Sequence, residues 1–331
     1  MGADMDFAEI LLSWYDREKR DLPWRGTKDP YRIWISEIML QQTRAEAVAP
    51  RYEAFLRQFP DVFDLARAGE EEVLKAWEGM GYYSRARNLH RAAKEIAAEG
   101  AFPQTAEDWR KLPGVGAYTA GAVASIAFGE AVPSIDGNQV RVLSRVLAWE
   151  GEGLEAEAAI RVDRKRPGDY NQALMDLGAG ICTPRRPNCA RCPVARMCRA
   201  YLAGDPEAFP IKRAALPKQE ERRIVLLAIA QGRVLVRKRP AGGMLAGLWE
   251  FPNYIEGEEN PLPEAREICA LREAKHVFTH RVWHMRGILA EIRSVPEGYL
   301  AADARDLEAL AMPSAFRVYR KIAMERIGKE R

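Results

Sequence analysis

The chain has 331 residues, of which 47% are hydrophobic and 29% are charged. This length and composition exclude a disordered chain and a single small domain, and they fit two globular domains that each bury a core. The net charge of +3 is only mildly basic, so any affinity for nucleic acid has to come from local basic patches.

The N-terminal twenty residues contain no apolar run long enough for a signal peptide. Asp6 stands where a myristoylation motif needs Ser or Thr. No stretch approaches the roughly 18 apolar residues of a membrane span. We therefore expect a soluble cytoplasmic protein with no membrane partner, in which cysteines stay reduced and a cysteine cluster suits a metal better than disulfides.

Residues 1–202 are predicted to form an all-α domain. Apolar residues recur at helical spacing in FAEILLSWY, YRIWISEIML, YEAFLRQF and NLHRAAKEIAAEG, with Pro and Gly between these segments. A further helix is predicted over residues 171–181, and no strand pattern interrupts the series.

Glu37 is an acid inside one of these otherwise apolar helices, with Ile33, Trp34 and Leu40 at helical spacing from it. Desolvation there would raise the pKa of its carboxyl and suit Glu37 to act as a general acid. The alternative is a structural acid whose oxygens are satisfied by hydrogen bonds.

Residues 105–128 are predicted to form two helices around a tight turn, with Thr105 and Asp108 as a capping box. Gly114, Val115 and Gly116 in this turn are candidate DNA-phosphate contacts, because glycine lets the backbone come close and the next helix begins with free amides. An ordinary glycine turn is the alternative.

Asp136 precedes the helix QVRVLSRVL, where an ordinary N-cap is the alternative reading. Together with Glu37, it would divide the work of cleaving a glycosidic bond. The protonated acid would activate the leaving base, and the ionised acid would stabilise positive charge on the sugar.

Four of the five cysteines lie in residues 182–198, spaced Cys182-x6-Cys189-x2-Cys192-x5-Cys198. Four thiolates on a compact loop suit a 4Fe-4S cluster. A zinc site is the alternative, but it usually has two Cys-x-x-Cys pairs, and this loop has one. The loop arginines either offset a negative cluster or contact phosphates. Cys269 is predicted to be a small core residue.

Residues 203–222 are polar and contain three prolines, which predicts a linker. Residues 223–331 are predicted to form an α+β domain. Two apolar runs flank Gln231 and Gly232, which indicates a hairpin, and residues 274–292 alternate as one strand. A helix is predicted over residues 314–327. His276, His280 and His284 would share one face, where metal binding is the alternative to recognition and packing.

Taken together, these motifs resemble the MutY family of adenine DNA glycosylases. The matching segments are LPWR (22–25), SEIMLQQT (36–43), GYYSRARNLH (81–90), LPGVGAYTAGAV (112–123), DGNQVRVLSR (136–145), NQALMDLGA (171–179) and the cysteine loop. The resemblance covers nearly all of residues 7–200. It implies a two-lobed helix-hairpin-helix fold with a 4Fe-4S cluster, acting as a monomer on double-stranded DNA. The implied reaction flips adenine out of a mispair with 8-oxoguanine or guanine and hydrolyses its N-glycosidic bond.

The resemblance also implies residue roles. Glu37 would protonate adenine N7, and Asp136 would support the oxocarbenium-like centre through a transient covalent link. Two residues would hold Asp136 and the water in place: Tyr118 and Asn138. Further residues would contact the substrate, as the lining of the adenine pocket (Leu22, Trp24, Arg25, Gln172) and as side chains pushed into the duplex (Gln42, Tyr82).

Endonuclease III is the alternative family, since it shares the hairpin and the cysteine spacing but removes oxidised pyrimidines. It uses a nucleophilic Lys for Schiff-base chemistry, and Tyr118 stands at that position here. Endonuclease III also lacks an acid corresponding to Glu37. The resemblance therefore implies a monofunctional enzyme.

Residues 243–252, GMLAGLWEFP, resemble the Nudix-like domain of MutY. Residues 266–269, REIC, begin a Nudix box without the paired Glu that should follow, which predicts a recognition module without hydrolase activity. Phe278-Thr279-His280 matches the Phe-Ser-His loop tip that reads 8-oxoguanine, with Thr279 in place of Ser adding a methyl and restricting χ1. Residues 149–170 are shorter than the family pattern by about one helix.

Overall fold

The structure, a computed structural model, describes residues 6–211 and 217–327. The chain forms two compact units: Met1–Arg67 with Asn88–Ala214, and Ala68–Arg87 with Ala215–Arg331. The predicted domains differ from these units at residues 68–87, which had been placed with the N-terminal domain. Within the described residues, no helix has the length and apolar character needed to cross a membrane.

Helices make up the first unit and part of the second. In chain order they are α1 (Phe7–Glu18), α2 (Pro30–Leu40), α3 (Ala45–Gln58), α4 (Val62–Arg67), α5 (Glu70–Ala76), α6 (Ser84–Glu99), α7 (Ala106–Trp109), α8 (Ala117–Phe128), α9 (Gly137–Leu147), α10 (Leu154–Arg161), α11 (Pro167–Gly180), α12 (Arg199–Leu202), α13 (Ala304–Ala309) and α14 (Arg317–Ile327). The predicted helical series and the predicted helix at residues 171–181 are confirmed.

Two glycines allow close helix packing in the first unit. A Cβ on Gly121 of α8 would lie 2.1 Å from the carbonyl oxygen of Pro133. A Cβ on Gly178 of α11 would lie 2.7 Å from the Cβ of Asn138. Any larger side chain at these positions would displace backbone, so both glycines fix the approach to Asp136 and the start of α9.

The second unit is built on an eight-stranded sheet with β3-β2-β1-β7-β5 as its main path. Its strands are β1 (Gln219–Ala230), β2 (Arg233–Lys238), β3 (Trp249–Glu250), β4 (Asn253–Ile255), β5 (Arg266–Ala270), β6 (Ala274–Val277), β7 (Arg281–Glu291) and β8 (Tyr299–Ala302). β1 and β7 are parallel, from Gln219 opposite Arg281 to Ile229 opposite Glu291.

The predicted hairpin around Gln231 and Gly232 is confirmed by antiparallel pairing of β1 with β2. Both residues have positive φ, 51° and 73°, as a type I′ turn requires. One face of the sheet packs on α14, where the Tyr319 hydroxyl donates to the carbonyl oxygen of Met285 at 2.9 Å.

Residues 274–292 are not one strand but the hairpin of β6 and β7, with Phe278-Thr279-His280 as its turn. The turn lacks Gly, Pro, Asn and Asp, and the ring of Phe278 packs between those of His276 and Trp283. The alternating pattern of the sequence therefore continues through the turn, so it gives no sign that the chain reverses direction there.

Three further predictions are wrong in this unit. β1 begins at Gln219, inside the predicted linker. Residues 266–270 form a strand paired with β7, so the REIC segment does not begin a Nudix helix. Cys269 on this edge strand is exposed, and it is not a core residue.

Candidate active site

Glu37 lies on α2, which begins at Pro30 after the N-cap Asp29. Its residue surface is only 4% exposed, and the Tyr118 hydroxyl donates to its Oε2 at 2.5 Å. Burial raises the pKa of Glu37, whereas the Tyr118 hydrogen bond and the charge of Arg25 oppose that rise. The desolvation expected from the sequence is confirmed, and the carboxyl is biased towards its protonated form.

The structure gives Tyr118 a partner that the resemblance did not name. Its hydroxyl bonds to Glu37, while its predicted role with Asn138 in holding Asp136 and the water stays a prediction. Burial and the neighbouring carboxylate of Glu37 raise the pKa of Tyr118 well above its usual value. Tyr118 is therefore a neutral donor that orients the acid.

Asp136 is the N-cap of α9. Its Oδ1 accepts a hydrogen bond from the Gln139 backbone amide at 2.7 Å, and its Oδ2 accepts one from Asn138 Nδ2 at 2.7 Å. The N-cap reading is thus confirmed, and the same carboxylate contacts Asn138, the partner that the resemblance implied. The negative charge of Asp136 also raises the pKa of Glu37, so the two acids lie within electrostatic reach of each other.

Arg141, which sequence analysis missed, fixes the orientation of Asn138. Its guanidinium donates to Asn138 Oδ1 at 2.8 Å, to the carbonyl oxygen of Gly178 at 2.7 Å and to that of Cys182 at 2.7 Å. Because the amide oxygen is bound to Arg141, the amide nitrogen faces Asp136. A continuous series of hydrogen bonds therefore runs from the first cysteine of the loop to the carboxylate.

A buried polar group also supports the segment that leads to Asp136. Asn171 on α11 accepts from the Ser134 amide at 3.2 Å and donates to the carbonyl oxygen of Val132 at 2.9 Å. Gln139 donates to the Ser134 hydroxyl at 3.2 Å. Asn171, like Glu37, is a polar residue with apolar neighbours on its helix. This pattern in the sequence could have identified Asn171 as a buried, hydrogen-bonded group.

The predicted adenine-pocket residues Arg25 and Gln172 are in contact, since Arg25 donates to Gln172 Oε1. Arg25 also donates to Asp176 Oδ1 at 2.8 Å, and Asp176 is 3% exposed. The Arg25 amide closes a turn on the carbonyl oxygen of Leu22 at 2.9 Å, and Trp24 inside this turn is buried. Asp176 is a support that sequence analysis missed.

The predicted phosphate turn has the backbone that its glycines imply. Gly114 has φ 75°, and a Cβ there would lie 2.5 Å from the Cβ of Asn88. Val115 is buried at 7% exposure, whereas Gly116, the N-cap of α8, is exposed. The valine thus anchors the turn and leaves glycine backbone open to a ligand.

The four loop cysteines line one cavity together with Arg145. Arg145 is 2% exposed, and its guanidinium lies 3.3 Å from Cys182 Sγ and 2.8 Å from the carbonyl oxygen of Thr183. The other partners of this guanidinium are main-chain carbonyls at Phe209 and Pro184. Its charge is therefore left to face the thiols. Burial raises the pKa of Cys192 to about 12, which favours the protonated thiol in the absence of a bound metal.

Within the described residues, no three His, Cys, Asp or Glu side chains are close enough together to share a single metal ion. The four cysteines nevertheless line one cavity, as the spacing on one loop led us to expect. The absence of such a close group among the described residues gives no support to metal binding by the three histidines. His276 pairs with Trp283 across the hairpin, and His284 bonds to Glu220.

Residues 35–165 match the family described as HhH-GPD superfamily base excision DNA repair protein, and residues 224–321 match the NUDIX domain family. The adenine DNA glycosylase of Homo sapiens is 36% identical over 403 residues, which cover 95% of this chain and 74% of the relative. The chain belongs to the adenine DNA glycosylase family. The enzyme of Buchnera aphidicola subsp. Schizaphis graminum is 31% identical, over 86% of this chain and 88% of the relative.

Solved structures are similar to the chain over part of its length. A thermostable thymine-DNA glycosylase matches with a TM-score of 0.55 and 32% identity, over 60% of this chain and 95% of the other. A non-covalent endonuclease III–DNA complex matches with a TM-score of 0.52 and 20% identity, over 60% of this chain and 94% of the other, which shows the fold alone. The protein is a DNA glycosylase with a helix-hairpin-helix domain followed by a Nudix-like domain, as predicted.

Gln42 and Tyr82, which were predicted to enter the duplex, both have the left-handed backbone conformation that is uncommon for residues other than glycine. Gln42 in the first unit has φ 57° and Tyr82 in the second has φ 47°. Both are exposed, Tyr82 by 45%. Left-handed backbone at non-glycine residues is strained and often marks functional positions, so both positions favour a role beyond packing.

The predicted lesion-reading tip is the turn of the β6–β7 hairpin. Thr279 Oγ1 lies 2.5 Å from the Tyr82 hydroxyl, and Lys218 Nζ donates to the carbonyl oxygen of Phe278 at 2.9 Å. The turn exposes the side chains of Thr279 and His280, while the Phe278 ring is held against Trp283.

Proposed function

We propose that the glycosylase hydrolyses the N-glycosidic bond of adenine opposite 8-oxoguanine or guanine in double-stranded DNA and leaves the strand intact. The observation that carries this proposal is the pair of unlike acids. Glu37 is buried and biased towards its protonated form, whereas Asp136 is capped by two hydrogen-bond donors. Such a division suits acid-assisted departure of a base with charge stabilisation at the sugar.

In the proposed reaction, Glu37 transfers its proton to adenine N7 while the bond between adenine N9 and C1′ breaks. The bonding electrons leave with the base, and Asp136 stabilises the positive charge at C1′. A water then adds to C1′ and gives up a proton to the carboxylate of Glu37. Tyr118 and Asn138 act as positioning residues, because each holds one of the two acids.

Tyr118 also supports the monofunctional assignment. Schiff-base chemistry needs an amine, and the raised pKa of the Tyr118 hydroxyl keeps it neutral and weakly nucleophilic. The proposal therefore favours hydrolysis over the lyase reaction expected of an endonuclease III-like enzyme.

The 4Fe-4S cluster would be held by the four loop cysteines, Cys182, Cys189, Cys192 and Cys198. The positive charge of Arg145 would offset the negative charge of their thiolates. The bound cluster would supply a rigid centre for a loop that carries several arginines. Arg185, Arg186, Arg191, Arg196 and Arg199 are exposed and available to phosphates.

Adenine would enter a pocket lined by Leu22, Trp24, Arg25 and Gln172. The flipped base leaves a gap in the duplex that Gln42 and Tyr82 would fill. The phosphate backbone would lie on Gly114, Val115 and Gly116, and the turn Phe278-Thr279-His280 would read 8-oxoguanine.

The deciding experiment uses purified protein and a duplex with adenine opposite 8-oxoguanine. We expect adenine release with an intact abasic strand, which breaks only after alkali, and no borohydride-trapped adduct. A duplex with an oxidised pyrimidine opposite guanine serves as the control. Strand cleavage at neutral pH, efficient trapping, or preferential processing of the pyrimidine duplex would contradict the proposal.

A further inference from the structure

The second unit contains a cavity of about 590 Å³ beside the 278–280 turn. This volume lies within the range of about 300–1,000 Å³ typical of small-molecule sites. Tyr82, His276 and Phe278 contribute rings to its lining. Phe278 is held edge-on against Trp283, with ring centroids 4.8 Å apart, so the aromatic wall is fixed in place.

The charges around this cavity are of one sign. Its described lining contains Lys218, Arg87 and Arg281 but no Asp or Glu. Lys218 and Arg87 donate to main-chain carbonyls, at 2.9 Å and 2.5 Å, so these hydrogen bonds bring no negative charge to either side chain. Arg281 is paired with Glu221, which does not line the cavity.

Two other grooves of the same unit contain acidic as well as basic residues. One is lined by Glu220, Glu256 and Glu273 beside its basic residues, and another by Glu264 and Glu291. The cavity at the turn is therefore better suited than these two grooves to a ligand that joins an aromatic ring to an anion.

We propose that this cavity binds a free nucleotide whose base is 8-oxoguanine, an inference that rests on the proposed reading of the lesion by the same turn. The aromatic wall would stack on the base, and Lys218 and Arg87 would hold the phosphate. Thr279 and His280 would bond to the base edge, as they would in a duplex. The described lining has no carboxylate to bind Mg²⁺, so the proposal is binding of the nucleotide and not its hydrolysis.

Free nucleotide and lesion duplex would then compete for one turn. An elevated concentration of the oxidised nucleotide would weaken the preference for 8-oxoguanine over guanine opposite adenine. It would leave the excision of adenine opposite guanine nearly unchanged, because that mispair lacks the lesion.

The test is calorimetric titration of the full-length protein with 8-oxo-dGMP and with dGMP, in the absence of divalent cations. We expect 8-oxo-dGMP to bind at least ten times more tightly than dGMP. Lys218→Ala and Phe278→Ala should each weaken that binding at least tenfold. Lys275→Ala is the matched control, because this exposed lysine lies on the same hairpin but lines a different groove. Melting curves report whether each variant is folded.

Absence of binding at millimolar nucleotide, equal binding of both nucleotides, or an equal loss in Lys275→Ala would overturn the inference. Adenine release from both mispairs, measured without nucleotide, separates this inference from the proposed function. Lesion-selective release without nucleotide binding would reject the cavity ligand alone. Nucleotide binding without adenine release would reject the proposed reaction alone.

Discussion

Replacing Arg141 with Gln should slow base excision without removing either acid. The substitution breaks the 2.8 Å bond from the guanidinium to Asn138 Oδ1 and the bonds to the carbonyl oxygens of Gly178 and Cys182. A hydrogen bond to a charged group contributes about 1.5–3 kcal/mol. If loss of the Asn138 bond is expressed in the transition state, the rate falls by about 10- to 150-fold, at about 1.4 kcal/mol per factor of ten.

The assay is single-turnover adenine release at saturating enzyme, together with the dissociation constant for the same duplex. We expect the rate to fall while DNA binding changes little, because the guanidinium is bound to protein groups. Arg161→Gln is the matched control, since Arg161 forms an exposed helical ion pair with Glu157. A wild-type rate in Arg141→Gln, or an equal loss in Arg161→Gln, would refute the idea that Arg141 orients Asn138.

Three further predictions concern the acids, the cysteine loop and the turn. Glu37→Gln should abolish adenine release, and wild-type release should decline as pH rises through the raised pKa of Glu37, because the proton donor is lost. Ionising the buried acid destabilises the fold, so the unfolding midpoint of Glu37→Gln should rise relative to that of wild type over the same pH range. Cys192→Ser should lower bound iron from about four atoms per chain and bleach the visible absorbance, whereas stoichiometric zinc in anaerobically prepared wild-type protein would contradict the cluster assignment. His280→Ala should reduce the preference for 8-oxoguanine over guanine by about 1–3 kcal/mol, while Thr279→Ser changes little; equal losses on both mispairs would exclude this turn as the reader.

The sequence reveals those parts of the site whose chemistry is local. Glu37 stands out because its helical neighbours are apolar, and its burial follows from that pattern. The spacing of the four cysteines on one loop likewise predicts that they line one cavity. Neither inference needs knowledge of distant contacts.

Contacts between distant segments could not be predicted in the same way. The bond from Tyr118 to Glu37 joins residues 81 positions apart, and neither local pattern nor the resemblance predicted it. Arg141 looks like any arginine on an amphipathic helix until α11 and the cysteine loop are in position around it. Residues 68–87 resemble their helical neighbours in composition, and only tertiary packing assigns them to the second unit.

That assignment has a consequence for how the protein is made. Residues 68–87 leave the ribosome long before their partners, such as Lys238 for Glu71, Met312 for Tyr83 and Arg320 for Glu78. The second unit can complete its folding only after nearly the whole chain is synthesised, with an early segment waiting for late strands. A fragment ending at residue 202 would lack Lys238, Met312 and Arg320, so Glu71, Tyr83 and Glu78 would each lose one described contact.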